Sequence, residues 1–329
     1  MKLGSLISNR SLDGELVVIS RDLKLMVKAT DISPCLREAL EHWSSVEEDL
    51  QKISDDLNNG RLAKDAMPYD DARLHSALPR TWLFADGSAF IQHIKLVRQA
   101  RKAELPATLE TVPLMYQGES GKFLNPRENI PQIDEAHGTD FEAEVGVITD
   151  FVPMGISPQK ALEKIRLIVL INDVSLRGLI PAELASGFGF FQSKPTSALS
   201  PVAVTPDELG QAWEKGKLKL PLHVKFNGES FGTANAGAMF FHFGDLIAHA
   251  AKTRDLAAGS LIGSGTVSNE DEATGCSCIV EKRTLETIKT GNAVTPFMKD
   301  GDRVEIFMLD ENGQRIFGTI SQSVKKVRV

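Results

Sequence analysis

The sequence predicts a strand-rich α+β fold, and three observations carry that expectation. Strand signals outnumber helical ones from residue 80 onward, they do not alternate regularly with helices as βαβ units do, and Asn227-Gly228 and Asn312-Gly313 stand between strand-like runs, where hairpins turn. A chain of 329 residues with 42% apolar content buries one large core and leaves room for a smaller unit. The smaller unit is expected over residues 1–75 and the larger over 76–329.

The N-terminal unit opens with a strand signal at 16–19 and continues into one helix. Ser33 is placed to cap it and Pro34 suits its first turn, while Leu36, Leu40, Trp43, Val46, Leu50, Ile53 and Leu57 recur at helical spacing until Gly60. That stripe reads as core or interface, packed either on the larger unit or on a second chain. A polar connector containing "AKDAMPYDDARLHSALPR" follows. Beyond it, "RLIVLIND", "LPLHVKFNGES", "GSLIGSGTVSN", "CSCIVE" and "DRVEIFMLDENGQRIFGTI" read as strands. Short helices fit 158–165 behind Ser157, 206–213 behind Thr205, and 245–251, and another carries Arg98, Arg101 and Lys102.

Composition narrows the class of partner. A net charge of −7 and a pI near 5.6 argue against nucleic acid and anionic membrane surfaces, which need concentrated Lys and Arg. A small soluble ligand fits better. No run approaches the roughly 20 apolar residues of a membrane span, and the N-terminus lacks the pattern of a signal peptide. Cys35, Cys276 and Cys278 are an odd number; the spacing of Cys276 and Cys278 puts both on one strand face, too few for a zinc site, and all three read as reduced, mostly buried, cytoplasmic thiols.

The chemistry concentrates in acidic residues. In "FEAEVGVI" (141–148), strand alternation puts Phe141, Ala143, Val145 and Val147 on one face, with Glu142, Glu144, Gly146 and Ile148 on the other. Side by side, Glu142 and Glu144 form either a solvated acidic face or a buried pair that needs a cation. Asp173 ends the apolar run "RLIVLIND", and Asp86 stands seven residues before His93. Taken singly, both aspartates read as turn residues and His93 as a surface or core histidine. Taken together, an all-oxygen set selects a hard cation, Mg²⁺, Ca²⁺ or Mn²⁺. "LRGLIPAELASGFGFFQSKPTSALSP" brings Arg177 and Lys194 in a Gly/Phe-rich loop suited to a site wall, although Lys194 equally reads as solvated. "GSGTVSN" (263–269) lacks the lysine and glycine spacing of a phosphate cradle.

These pieces in their order, Asp86 with His93, "PLMYQG" (113–118), Glu142-Ala-Glu144, "NDVSLR" (172–177), Lys194 ahead of "SP" (200–201) and "GSGTVSN", resemble the fumarylacetoacetate hydrolase family over most of residues 80–329. The resemblance implies a mixed β-roll around a metal site, a small N-terminal domain and a homodimer. It also implies Asp86, Glu142, Glu144 and Asp173 as ligands of Mg²⁺ or Ca²⁺, with Mn²⁺ as a further candidate. His93 becomes the base that activates water, Arg177 and Lys194 the donors to developing charge or to the substrate carboxylate, and Tyr116 and Thr266 substrate contacts. The glutamate that orients the histidine is placed at Glu281, two residues along the presumed strand face from the ungapped position, Ile279. Arg101 or Lys102 takes the part of the family's substrate arginine.

Two departures bear on the substrate: Ser88 stands where the family has a tyrosine, and Ile180 where it has a substrate-binding glutamine. The expected activity is hydrolysis of a 1,3-diketone acid, foremost fumarylacetoacetate to fumarate and acetoacetate in tyrosine breakdown. The alternative is a lyase of the same family, a 2-oxo-4-pentenoate hydratase or an acylpyruvate- or oxaloacetate-processing enzyme. A third reading is a metal-binding protein whose carboxylates only staple the fold.

Overall fold

The computed structural model describes residues 1–100 and 104–328. The chain begins with three antiparallel strands, β1 (Lys2–Leu6), β2 (Glu15–Ile19) and β3 (Leu25–Lys28), followed by α1 (Leu36–Glu41), α2 (Trp43–Asn58) and the short β4 (Met67–Pro68). The single helix expected from the stripe is thus two. His42, at φ −120° and ψ 25°, closes α1 and opens α2, so the apolar spacing continues across a break in the backbone. Ser33 does not cap: its hydroxyl donates to the Cys35 carbonyl, and Cys35 is the N-cap residue without a side-chain bond. The stripe Trp43, Val46, Leu50 and Leu57 is buried against this chain's own main sheet, sharing a core with Ile148, Leu167, Val169, Ile171 and Leu261.

The site-bearing part starts with β5 (Phe84–Gly87), α3 (Ile91–Ala100), β6 (Met115–Gly118), β7 (Ile130–Gln132) and β8 (Thr139–Asp140). Then come β9 (Ala143–Thr149), α4 (Pro158–Leu162, with Ser157 accepting from the Lys160 amide), β10 (Ile165–Asn172), β11 (Ser175–Leu176) and α5 (Ile180–Ser186). Four short strands follow, β12 (Ala198–Leu199), β13 (Ala203–Val204), β14 (Trp213–Glu214) and β15 (Lys217–Leu218). The chain ends with β16 (Pro221–Phe226), β17 (Glu229–Asn235), α6 (Phe243–Ala250), β18 (Leu261–Gly263), α7 (Ile279–Thr290), β19 (Arg303–Met308) and β20 (Ile320–Lys326). Asn227 and Gly228, both at positive φ, make the β16–β17 hairpin that their dipeptide predicts.

Eleven strands form one mixed sheet, ordered β4-β3-β2-β1-β13-β10-β9-β18-β5-β6 with β12 beside β10. A second sheet runs β17-β16-β19-β20-β7. The larger core joins Phe141 and, on β9, Ala143, Val145 and Val147 to Leu222, Val224, Val304 and Ile306 of the second sheet. The other face of β9 and β10 meets the N-terminal helices. Burial on both faces explains why β10 reads as an unbroken apolar run.

Two expectations fail here. "CSCIVE" is not a strand: Cys278 is the N-cap of α7, which runs to Thr290 and stops at Gly291 in the left-handed region. Cys, Ile and Val favour strands locally, and only the polar three-to-four spacing beyond Glu281 marks the helix. The stretch after Arg177 is not all loop, because α5 forms there with a proline in its first turn and Gly187 at its end. The segment 206–212 is a 3₁₀ turn broken at Gly210, and α6 starts at Phe243 with His242 and Asp245 in a reciprocal cap.

Candidate active site

Sheet register brings the acidic residues to one end. Asp86 on β5 pairs with Gly263 on β18, Gly263 pairs with Gly146 on β9, and Glu144 on β9 pairs with Ile171 on β10, just before Asp173. Four separate strand ends thus converge. One carboxylate oxygen from each of Asp86, Glu144 and Asp173 lies within 4.8 Å of the others. Gly263 is what permits this: a Cβ there would lie 2.2 Å from Asp86 Oδ1 and 3.2 Å from Glu144 Oε2. Gly265, at φ +75°, passes so close to the Gly87 carbonyl that a Cβ would sit 2.3 Å from it, and its amide donates to Asp86 Oδ1 at 3.0 Å. The glycines of "GSGTVSN" therefore serve close approach to carboxylates.

Glu144 has 0% exposure, and both its oxygens are buried without a hydrogen-bond partner among the described residues. An isolated buried carboxylate costs several kcal/mol unless it is neutralised or paired. Burial, then repulsion from Asp86 and Asp173, drives the Glu144 carboxyl well above its usual range. Burial and Asp173 likewise push Asp86 up to about 8, with Lys194 opposing. Two partnerless oxygens beside two more carboxylates fit a hard divalent cation, and these three residues would hold it.

Glu142, the expected fourth ligand, accepts from two cationic side chains. Arg177 Nη2 donates to its Oε1 and Lys194 Nζ to its Oε2, with Lys194 also donating to Asp173 Oδ2. Burial would raise the Glu142 carboxyl, but Arg177 and Lys194 outweigh it and hold it well below the carboxylate range. Lys194 is buried rather than solvated, and Asp173 and Glu142 keep it protonated against the cost of burial. Asp173 also accepts from Tyr116 Oη and from Ser197 Oγ at 2.8 Å.

The base is assembled by two helices. α3 presents His93 and α7 presents Glu281, whose Oε1 lies 3.1 Å from His93 Nδ1. Glu281 is 2% exposed. With Nδ1–H donated to this carboxylate, Nε2 is left as the acceptor. Residue 281 meets the histidine from the first turn of a helix, not from a strand face.

A cleft of about 440 Å³ connects these groups, lined by Asp86, His93, Tyr116, Glu142, Glu144, Arg177, Lys194 and Thr266. Thr266 Oγ1 is buried without a partner beside it. Arg101 and Lys102 lie outside the described residues, whereas Arg98, one turn earlier, lines the cleft and donates to the Glu104 carbonyl at 2.7 Å. Ser88 and Ile180 also line it.

Sequence reasoning missed Asp140. Fully buried, it accepts from Arg177 Nε at 2.9 Å and from the amides of Ile279 and Val280 at 2.8 and 3.0 Å. It thereby ties Arg177 to the N-terminus of the helix that carries Glu281. Its only mark in the sequence is an acidic residue directly ahead of "FEAE".

The family model described as fumarylacetoacetate (FAA) hydrolase C-terminal matches residues 83–325, and that described as fumarylacetoacetase N-terminal domain 2 matches 1–80. The chain belongs to the fumarylacetoacetate hydrolase family. Among curated relatives, 2,4-didehydro-3-deoxy-L-rhamnonate hydrolase of Sphingomonas sp. (strain SKA58) is 27% identical over 191 residues, 57% of this chain and 64% of the relative. Fumarylacetoacetase of Caenorhabditis elegans is 25% identical over 226 residues, 60% of this chain and 54% of the relative. The matched regions thus span between half and two thirds of these relatives' lengths. The solved structure of maleylpyruvate hydrolase from Sphingobium sp. SYK-6 in complex with manganese(II) ion and pyruvate shares the fold, with a TM-score of 0.65 at 13% identity and full coverage of both chains. Among the described residues no helix is long and apolar enough to cross a membrane.

Proposed function

We propose that this member of the family is a metal-dependent hydrolase that cleaves the carbon–carbon bond of a 1,3-dioxo acid. The observation that carries the reading is the partnerless Glu144 carboxylate between Asp86 and Asp173, in the same cleft as the His93–Glu281 pair. Asp86, Glu144 and Asp173 would hold a divalent ion, which would supply Lewis-acid stabilisation of negative charge on the dioxo oxygens. The manganese of the maleylpyruvate hydrolase structure supports a divalent ion in this fold, and Mg²⁺, Ca²⁺ and Mn²⁺ all suit the oxygen donors.

The chain's own groups account for the rest. Glu281 fixes the His93 ring with Nε2 free to take a proton from water, whose oxygen bonds to the carbonyl carbon at the far end of the dioxo unit. The bond from that carbon to the central methylene then breaks. Its electron pair goes to the methylene carbon, which picks up a proton, and the products are a carboxylate and an oxo acid. Lys194 has three N–H donors and spends two on Glu142 and Asp173, so one remains for an oxyanion. Thr266 offers a second donor without a partner among the described residues. Arg177, committed to Asp140 and Glu142, holds the acidic wall in place.

Fumarylacetoacetate, cleaved to fumarate and acetoacetate as in tyrosine breakdown, is the reference substrate. The His93–Glu281 pair favours hydrolysis over the same-family lyase reading, since removal of a proton from water is the step that separates them. The test is loss of the dioxo chromophore with purified protein before and after EDTA, with Mg²⁺, Ca²⁺ or Mn²⁺ restored. Loss that stops with chelator and returns with metal is expected. Turnover of 2-oxo acids with no dioxo cleavage would replace hydrolysis by the lyase reading.

A further inference from the structure

A second group of metal-binding side chains stands apart from the carboxylate set. His93 of α3 with Cys278 and Glu281 of α7 bring one nitrogen, one sulphur and one oxygen within 4.8 Å of one another. Counted alone, the cysteines were too few for zinc; the other two donors come from the fold. Donors of one tetrahedral ion, bonded at about 2.0–2.3 Å, stand about 3.3–3.8 Å apart. His93 Nδ1 and Glu281 Oε1, at 3.1 Å, are close to that separation already, and the sulphur needs to approach by no more than about 1.5 Å.

The first turn of α7 leaves these donors free of other duties. Cys278 and Glu281 occupy the N-cap and N3 positions, the spacing at which a serine and a glutamate cap a helix reciprocally. Here Cys278 makes no side-chain cap bond, and Glu281 turns to His93. Asp140 does the capping from β8, accepting the amides of Ile279 and Val280. Cys278 is 0% exposed and Glu281 2%, while His93 lines the cleft and so gives an ion its way in.

The charges around the sulphur suit a cation. Glu281, Asp140 and Glu142 act on it from nearby, against Arg177, which is paired with two of them. Burial, then Glu281 and Asp140, push the thiol up and keep its proton on. The same carboxylates attract a dication, and a thiol that coordinates one gives up its proton to solvent. A nitrogen, a sulphur and an oxygen, with water in the fourth place, favour Zn²⁺, whereas the all-oxygen set of Asp86, Glu144 and Asp173 favours Mg²⁺ or Mn²⁺.

We propose that His93, Cys278 and Glu281 are a second metal site, which takes Zn²⁺ and thereby switches off the catalytic base. A cation on Nδ1 leaves the ring's proton on Nε2, the atom that must be bare to accept one from water, and a cation on Nε2 occupies that atom outright. The site stands on the donor geometry, and only its effect on turnover rests on the hydrolysis reading.

Two measurements test the two parts. In the first, Zn²⁺ is titrated by calorimetry into protein in excess Mg²⁺, and Co²⁺ replaces it in a parallel absorbance titration, where a bound thiolate gives a charge-transfer band in the ultraviolet. One ion with that band is expected in wild type and in Glu144→Gln, which spoils only the oxygen site. Cys278→Ser, close in size and a good N-cap, loses the band and weakens Zn²⁺ by about a hundredfold or more, since losing even a hydrogen-bond partner of a ligand costs about 10–100-fold. Glu281→Gln weakens it too, so the result does not depend on one variant folding. No Zn²⁺ binding, equal affinity in wild type and Cys278→Ser, or Co²⁺ bound without the band overturns the site. In the second, dioxo-acid cleavage with Mg²⁺ is followed as Zn²⁺ is added. Wild type is expected to stop, with further Mg²⁺ not restoring it, while Cys278→Ser cleaves as before and resists. Turnover that Zn²⁺ leaves untouched, inhibition equal in both proteins, or inhibition that Mg²⁺ reverses overturns the switch. No cleavage even without Zn²⁺ defeats the hydrolysis reading alone, and the first measurement still decides the site.

Discussion

Replacing Glu144 by Gln tests the placement of the ion without recourse to turnover. Glu144 and Asp86 are carboxyls whose folded pKa values lie above their unfolded ones, Glu144 through burial and repulsion from Asp86 and Asp173, Asp86 through burial and repulsion from Asp173. Groups of this kind contribute stability that is complete below about pH 4 and is lost as pH rises through the folded value. Metal-free wild type should therefore lose stability between about pH 4 and the value near 8 to which Asp86 is pushed. Each carboxyl contributes a slope of up to about 1.4 kcal/mol per pH unit. Glu144→Gln removes one of the two ionisations, so its decline should be shallower. A bound cation reverses the penalty in wild type. At a hundredfold excess over Kd it adds about 2.7 kcal/mol, and a chain of this length has an unfolding entropy near 0.7 kcal/mol/K, so Tm should rise by about 4 °C. The assay is thermal unfolding at pH 5.5 and pH 8, in EDTA and in Mn²⁺ or Mg²⁺. Expected are a Tm gain with metal that is larger at pH 8 in wild type, and no gain in Glu144→Gln. Equal metal gains in the two proteins, or a Tm of metal-free wild type that does not fall between these pH values, would refute the reasoning.

Three further outcomes follow from the same geometry. His93→Ala should lower kcat by about 10²–10⁴-fold, with metal content unchanged by elemental analysis; lost metal would mean that the histidine has another part. Arg177→Ala leaves Asp140 and Glu142 buried without their guanidinium, and denaturant unfolding should show a loss of about 3–5 kcal/mol, against a negligible loss if the pairing is incidental. Gly263→Ala forces a methyl against Asp86 Oδ1, so the metal-dependent Tm gain should vanish while Gly228→Ala, at a hairpin with open space around it, keeps the gain.

The residue types of the site were more legible than their roles. "FEAEVGVI" gave the two faces of β9, because a period of two is unambiguous once both faces are buried. It could not show that Glu142 and Glu144, two residues apart, would meet opposite fates, one gripped by Arg177 and Lys194 and the other left without a partner. That difference arises from β11 and the loop after α5, which are distant in sequence from β9. Glu281 was located by spacing against a strand that does not exist, since Cys, Ile and Val ahead of it carry a strand's local preference while Asp140 accepts the amides of a helix N-terminus there. Asp140 itself was invisible because its three partners lie 37, 139 and 140 residues away. The break at His42 was hidden by a stripe whose spacing survives a change of helix.

The cleft divides its labour between unlike supports. Its acidic end hangs from strand termini buried on both faces, where any shift propagates through two cores. Its apolar end, Ile94 and Val97 of α3 with Ile180 and Leu184 of α5, stands on short helices whose outer faces meet solvent. Substitutions that change this lining therefore need not disturb the register that gathers Asp86, Glu144 and Asp173. Small steps on α5 thus leave the reactive centre intact, whereas α3 also carries His93.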